Sequence, residues 1–120
     1  MANNKRTTGG ALGTLDADNL IASTFPPAEV FTIDIKTPGI IARGTVMSLE
    51  SDGKYEVLGA GSGTASCVLA EDAAEDDVIG VAYRTGHFYR NGLTVKDDYT
   101  LSATDENNLR LAGILLSDGI

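Results

Sequence analysis

The only soft nucleophile of the chain is the thiol of Cys67, and its only imidazole belongs to His87. A cysteine hydrolase would have to pair these two groups, because a thiol needs a neighbouring base to become a good nucleophile at neutral pH. Cys67 lies between Ser66 and Val68 in a run of small apolar residues, where cysteine usually behaves as a buried hydrophobe. His87 follows Gly86 at a predicted turn, which favours a surface or interface position. The sequence therefore predicts that the chain is not an enzyme.

Two further segments contain residues that ligand sites use, but neither has the required spacing. Glycines at positions 59, 61 and 63 superficially match a phosphate-binding loop, yet no Gly-Lys-Ser/Thr follows them and no amphipathic helix begins there. An acidic cluster between residues 71 and 77 lacks the alternating ligands and the central glycine of a calcium-binding EF-hand loop. We therefore predict a glycine-rich connector and a solvated acidic loop, with no cofactor and no metal. The carboxylates of the acidic loop could instead pair with Arg84 or Arg90 of a neighbouring subunit. They belong to Glu71, Asp72, Glu75, Asp76 and Asp77.

An aromatic and basic segment between residues 83 and 90 is the best candidate for a contact surface. Aromatic side chains interleaved with cations can stack on the bases of single-stranded nucleic acid. However, 17 acidic against 9 basic residues give the chain a net charge of -8, which opposes binding to nucleic acid and to anionic membranes. Aromatic and arginine side chains are also enriched in protein interfaces, so we predict a subunit interface, although packing within a strand explains the pattern equally well. The predicted interface residues are Tyr83, Arg84, His87, Phe88, Tyr89 and Arg90.

The composition also indicates the setting in which the chain folds. With one cysteine the chain can form no intrachain disulfide and no structural zinc site, which fits assembly in the cytoplasm. The first residues lack the apolar run of a secretory signal, and no stretch reaches transmembrane length. A chain of 120 residues has room for one hydrophobic core, so a single head is expected.

Residues 29–120 are predicted to form a mainly β head, barrel-like or sandwich-like, with one short C-terminal helix. Residues 31–36 alternate apolar and polar side chains, as in a half-buried strand. Asp52 and Gly53 lie between two apolar runs and predict a tight hairpin. Thr104 is the predicted N-cap of the helix, and Gly113 is its predicted end. The other predicted strands span residues 45–49, 55–58, 65–69, 78–83, 87–89 and 93–95, the helix spans residues 105–112, and residues 114–116 return to the core.

Residues 1–28 are predicted to form an extended arm that becomes ordered on a partner. They show no sustained apolar period and are interrupted by glycines, so they cannot offset the entropy of ordering by themselves. Pro26 and Pro27 hold the chain extended and are predicted to act as a stiff hinge between arm and head. The apolar arm residues predicted to dock on the partner are Leu12, Leu15, Leu20, Ile21 and Phe25.

Short motifs follow one another along the head in a recognisable order. They are Gly44-Thr-Val-Met-Ser-Leu, Asp52-Gly-Lys-Tyr, Ala65-Ser-Cys-Val-Leu-Ala-Glu-Asp and Val81-Ala-Tyr-Arg-Thr-Gly-His-Phe, and the chain closes with Asn108-Leu-Arg-Leu-Ala-Gly-Ile-Leu-Leu-Ser-Asp. In this order they resemble the tailed-phage head decoration proteins of the lambda type, over roughly residues 45–120. The motifs describe strands and turns and contain no catalytic signature.

The resemblance implies a structural protein that stabilises a bacteriophage head. It implies a trimer at three-fold positions on the outer surface of the virion, where it binds the expanded capsid and locks neighbouring major capsid subunits together. In that family the N-terminal arm is flexible when free and becomes ordered on the capsid, where it can extend a sheet of the shell protein. The predicted partners are therefore the phage major capsid protein and further copies of this chain.

Two alternatives come from other functional classes. An adhesion or glycan-binding β module displayed on a virion would present Tyr83, Phe88, Tyr89 and the acidic loop to its ligand. A small hydrolase using Cys67 and His87 would need a thiol that reacts at neutral pH. Capsid cosedimentation, glycan binding and thiol alkylation distinguish the three predictions.

Overall fold

The computed structural model describes residues 20–118, which form a mainly β structure with one α-helix, as the sequence predicted. A short 3-10 turn, Arg90–Gly92, follows the longest strand. The elements in chain order are β1 (Ile21–Ser23), β2 (Glu29–Asp34), β3 (Val46–Leu49), β4 (Tyr55–Val57), β5 (Thr64–Leu69), β6 (Ile79–Tyr89), α1 (Ala103–Ala112) and β7 (Ile114–Ser117).

The strands form one curled sheet, which corresponds to the barrel-like one of the two predicted arrangements. Strand β6 pairs with β2 and β5, β5 pairs with β3, and β3 pairs with β4, all in antiparallel fashion. A bridge between Ile35 and Tyr55, with the amide of Lys36 donating to the carbonyl oxygen of Tyr55 at 2.8 Å, brings the chain after β2 against β4. The chain after β2 therefore meets β4, the strand on the far side of the sheet. This contact covers edge strands that a flat sheet would leave open.

The hairpin between β3 and β4 is confirmed. Gly53 has a φ of 84°, and the amide of Glu50 donates to the carbonyl oxygen of Lys54 at 2.8 Å across the turn. The amide of Lys54 also donates to a carboxylate oxygen of Asp52 at 3.0 Å. The residues of the turn therefore determine the hairpin, because Asp52 accepts the hydrogen bond and Gly53 adopts the positive φ that the turn requires.

Strand β6 differs from its prediction, because it runs unbroken from Ile79 to Tyr89 where two strands separated by a turn at Thr85 and Gly86 were expected. Gly86 does have a φ of 152°, but β1 and β7 pair with β6 beyond it and hold the strand together. A Cβ at this glycine would lie 2.6 Å from the ring of Phe88. The glycine therefore permits a close packing inside a strand and does not end the strand.

Two buried clusters cover opposite faces of the central strands. Val46 of β3 and Val68 of β5 belong to the first cluster, which α1 and β7 help to close. Met47 of β3 and Cys67 of β5 point to the second cluster, inside the curled sheet. Because both faces are covered, Cys67, Val68 and Leu69 are consecutive buried apolar residues, which is typical of a strand buried on two sides.

Helix α1 has the predicted end but a different beginning. Its N-cap is Ser102, whose hydroxyl accepts from the amide of Asp105 while the Asp105 carboxylate accepts from the amide of Ser102. The prediction of Thr104 was therefore wrong, because Thr104 lies inside the helix and the reciprocal capping box of Ser102 and Asp105 satisfies two backbone donors at its start. Gly113, with a φ of 107°, ends the helix as predicted.

Residues 93–95 do not form the predicted strand. Thr94 makes an isolated parallel bridge with Thr45, while Leu93 and Val95 pack against the first buried cluster. A single bridge does not make a ladder, so the apolar residues of this segment contribute burial without regular pairing.

The boundary between arm and head lies earlier than the sequence indicated. Leu20 is only 4% exposed within the first cluster, and Ile21 pairs with Phe88 at the start of β1. Residues 20–23 therefore belong to the head, where an apolar pocket of the same chain accepts Leu20. The predicted docking residues Leu12 and Leu15 lie outside the described residues.

Candidate functional site

The two ends of the described chain leave the head at the same end of β6. The amide of Tyr89 donates to the carbonyl oxygen of Leu20 at 2.8 Å, and Ser117 of β7 pairs with the same tyrosine. Strands β1 and β7 both pair with His87 and Phe88, so they must lie on opposite edges of β6, about 10 Å apart. The first and the last described residues of the chain therefore lie at one end of the molecule.

The predicted hinge is part of a loop that β6 holds in place. The hydroxyl of Thr85 donates to the carbonyl oxygen of Pro27 at 2.8 Å and accepts from the amide of Glu29 at 3.3 Å. On the other side of the loop, the amide of Phe25 donates to the hydroxyl of Ser23 at 3.2 Å. Residues 24–28 therefore have anchored ends, and the Phe25 side chain between them is 80% exposed.

The predicted interface segment does not form one surface. Phe88 is fully buried in the first cluster and is not available to a partner, which corrects its assignment as an interface residue. Tyr83 packs against Phe88 with ring centroids 5.2 Å apart, and Arg43 lies 5.8 Å above the tyrosine ring and donates to its hydroxyl at 3.0 Å. Arg84 is exposed, while His87 and Tyr89 are half-buried. Packing within a strand, the second interpretation of the pattern, explains Tyr83 and Phe88.

Arg90 is engaged within its own chain. Its guanidinium forms a two-pronged ion pair with Glu106 of α1, with both nitrogen to oxygen distances at 2.9 Å, and a second ion pair with Asp118. These contacts tie the end of β6 to the helix and to the chain that follows β7. A neighbouring subunit that used this arginine would share the guanidinium with these two carboxylates.

The acidic loop is partly structural. A carboxylate oxygen of Asp72 accepts from the amide of Arg43 at 2.7 Å, and one of Asp77 accepts from the amide of Ala74 at 2.8 Å. The loop precedes Ile79, at the end of β6 opposite to Tyr89, about 30 Å away. No three His, Cys, Asp or Glu side chains within residues 20–118 are grouped closely enough to hold a metal ion.

The glycine-rich connector satisfies its own backbone groups. The hydroxyl of Ser62 accepts from the amide of Gly59 at 3.1 Å and donates to its carbonyl oxygen at 2.8 Å. The amide of Gly63 donates to the Glu50 carboxylate at 2.7 Å. An anion-binding loop would need these amides free and converging on one point, so the geometry supports a turn.

The thiol and the imidazole do not form a catalytic pair. Cys67 is fully buried in the second cluster, and burial raises the pKa of its thiol to about 12. His87 is half-buried on β6, and no hydrogen bond joins it to Cys67 in the described part of the chain. A thiol that stays protonated at neutral pH and has no adjacent base is a poor nucleophile.

Exposed aliphatic side chains on β2 and at the start of β6 were not predicted as contact residues. Val30, Val78 and Ile79 are each more than half exposed. The alternation along β2 could have revealed Val30, because Ile33 faces inward and residues an odd number of positions away face outward. No sequence signal distinguished Val78 and Ile79, because they lie where β6 emerges from the acidic loop.

None of the helices among residues 20–118 is long and apolar enough to cross a lipid bilayer.

Comparison with known proteins identifies the family. The model of the bacteriophage lambda head decoration protein D family matches residues 13–114. The match begins well before residue 45, where the resemblance of the motifs began, and includes β1, β2 and the loop between them. No curated protein matched the chain. Because the family model covers most of the sequence, this chain belongs to the bacteriophage lambda head decoration protein D family.

Proposed function

We propose that this protein binds the expanded phage capsid from outside as a homotrimer at three-fold positions and clamps neighbouring major capsid subunits. The family to which the chain belongs is one of head decoration proteins, which supports the capsid as the partner. The observation that carries the docking mode is the attachment of residues 1–19 beside β7, at one end of the molecule. That end faces the shell, and the acidic loop at the opposite end faces solvent.

In this proposal residues 1–19 add a strand to a sheet of the shell protein. Ordering ten residues costs ~10 to 20 kcal/mol of backbone entropy, whereas ten strand hydrogen bonds return only ~5 to 15 kcal/mol net. Hydrogen bonds alone are therefore insufficient. Burying Leu12 and Leu15 adds ~1.5 to 3 kcal/mol for each side chain. Docking becomes favourable only where a free strand edge and apolar pockets coincide.

The head of this protein fills its own pocket with Leu20, so that residue contributes to the stability of the head and leaves the shell contact to residues nearer the N-terminus. This assignment moves the boundary of the docking arm from residue 28 to residue 19. Truncation experiments have to respect that boundary, because a longer deletion removes part of the fold.

Trimerisation would strengthen weak individual contacts. Once one subunit has docked, the other two arms search for their sites at a high effective concentration. Each trimer would then bridge several shell subunits, and separating those subunits would also require breaking the contacts of the trimer. The decoration resists internal DNA pressure in this way without any chemical step.

The test is cosedimentation of the protein with expanded capsids, using the full chain and a variant that lacks residues 1–19. We expect saturable binding of the full chain and a loss of at least tenfold in affinity for the truncated protein, with an unchanged melting temperature. Failure of the full chain to bind would contradict the proposed function. Equal binding by both proteins would contradict the arm mechanism alone. Mass photometry of the free protein tests for the trimer.

A further inference from the structure

The loop of residues 24–28 is an insertion between two strands that both pair with β6. Ser23 pairs with His87 and Glu29 pairs with Thr85, so these partners are separated on β6 by Gly86 alone. The intervening residues 24–28 have no partner in the ladder. They are largely exposed, and Phe25 is the large apolar side chain among them.

We propose that Phe25 is a preformed apolar anchor that inserts into an apolar hollow of the major capsid protein. The inference rests on the proposed function and deepens it, because it separates the head's own contact from that of residues 1–19. In the sequence-based prediction Phe25 was one of several arm residues that become ordered on the capsid. The structure assigns it instead to a loop that is already held in place.

Hydrogen bonds at both ends of the loop support this preformed state. Thr85 binds the carbonyl oxygen of Pro27 and the amide of Glu29 with one hydroxyl, and the amide of Phe25 donates to the Ser23 hydroxyl. Two consecutive prolines further restrict the backbone between these points. An anchor held in its bound position loses little entropy on docking, so more of its burial appears as affinity.

Exposure alone does not make an anchor, since single apolar side chains are common on protein surfaces. Ile40 is 82% exposed and Leu111 on α1 is also largely exposed. Phe25 differs from both in residue type and in presentation. It is an aromatic side chain, a type that is enriched in interfaces, and it projects from a tethered loop that interrupts the pairing with β6.

Phe25 lies close in the sequence to residues 1–19, and this proximity favours the shell protein as its partner. β1 is the only element between Phe25 and the point where residues 1–19 leave the head. The distance along the chain from Leu20 to Phe25 is at most about 17 Å. A shell subunit that binds the arm is therefore within reach of Phe25, whereas Ile40 follows β2 and pairs through its neighbour Ile41 with Ala73 of the acidic loop.

The experiment compares Phe25→Ala, Phe25→Leu and Ile40→Ala in the full chain for binding to expanded capsids, with melting temperature and mass photometry recorded for each protein. We expect Phe25→Ala to lower the affinity at least tenfold, Phe25→Leu to lower it less, and Ile40→Ala to leave it within twofold. All three proteins should keep the melting temperature and the oligomeric state of the unaltered chain.

Several results would overturn the inference. Unchanged binding by Phe25→Ala, or an equal loss in Ile40→Ala, would show that Phe25 has no specific contact with the shell. A change of oligomeric state in Phe25→Ala would place its partner in a second copy of this chain. Failure of the unaltered protein to bind capsids is a separate outcome, because it contradicts the proposed function itself.

Thr85 offers a second test, as a positioning residue for the loop. Thr85→Val keeps the methyl group that lies near Gly113 but removes the hydroxyl that holds Pro27 and Glu29. We expect weaker capsid binding in Thr85→Val and recovery in Thr85→Ser. Equal affinity of Thr85→Val and the unaltered chain would contradict a preformed loop.

Discussion

Substitution of Leu20 tests where the arm ends and the head begins. If residues up to 25 were ordered only on a partner, Leu20→Ala would leave the stability of the free protein unchanged. In the structure, however, Leu20 is buried with Val46 and Phe88, and its two methyl carbons would lie 3.6 and 3.8 Å from a Cβ at Gly44. The side chain therefore fills a space beside Gly44 in the first cluster.

The expected cost follows from the burial of this side chain. Replacing a buried leucine by alanine removes its transfer free energy and leaves a cavity, which together cost ~2 to 5 kcal/mol. We expect about 3 kcal/mol, near the middle of that range. For a domain of this size that free energy corresponds to a decrease in melting temperature of ~12 to 24 °C.

The assay is urea unfolding followed by circular dichroism, at one fixed protein concentration because oligomerisation would make stability depend on it. Phe25→Ala is the matched control from the same segment, and its exposed side chain predicts a change below ~0.5 kcal/mol. Two truncations extend the comparison. Removal of residues 1–19 should leave the free energy of unfolding unchanged, while removal of residues 1–25 should lower it by at least as much as Leu20→Ala.

A free energy of unfolding for Leu20→Ala within ~0.5 kcal/mol of the unaltered protein would refute this reasoning. It would mean that residues 20–23 are not part of the free head and that the arm extends to the prolines. Equal stability of the two truncated proteins would lead to the same conclusion by an independent route.

Three further predictions concern single residues of the head. Gly63→Ala should destabilise the protein by at least ~2 kcal/mol, because its Cβ would lie 2.1 Å from a backbone oxygen. Gly39→Ala is the control, and it should change stability by less than ~0.5 kcal/mol because no atom lies within 4 Å of the added Cβ. Similar melting temperatures of the two variants would contradict the close approach at Gly63. Cys67, with its pKa raised by burial to about 12, should resist iodoacetamide at pH 8 in the folded protein and react after unfolding, and stoichiometric labelling of the native protein would contradict this. Burial by itself raises the pKa of Asp105, but hydrogen bonds from Ser102 and a tyrosine outweigh it and hold the pKa below the ordinary 3.8. The ionised Asp105 carboxylate therefore contributes its full stabilisation above pH 3.8, and this contribution is lost as the pH falls through the lower pKa of the folded state. The free energy of unfolding of Asp105→Asn should consequently depend less on pH in this acidic range than that of the unaltered protein.

Elements set by neighbouring residues were predictable from the sequence. The hairpin at Asp52 and Gly53 and the helix end at Gly113 depend on backbone conformations that these residues favour, and both were found in place. The helix start was missed by two residues, because Ser102 and Thr104 are both good caps. Only the position of Asp105 three residues after Ser102 distinguishes them.

Contacts between distant parts of the chain decided what the sequence left open. Phe25 and Leu20 are both apolar residues of a glycine-interrupted segment, yet one is exposed and the other is buried. The pocket that accepts Leu20 is built from β3, β5, β6 and α1, so its existence cannot be read from residues near Leu20. For the same reason Phe88 was open to two interpretations until its cluster was known.

Residue types and local spacing predicted the β-rich class, the hairpin at Asp52 and Gly53, the helix end at Gly113 and the motifs of the head decoration family. These properties depend on residue type and on spacing over a few positions. Only the tertiary structure decided that β6 continues through Gly86, that the strand order closes through Ile35 and Tyr55, and that the head begins at Leu20. These three features depend on contacts between residues that are far apart in the sequence. The curled sheet forms those contacts because they bury the largest apolar area.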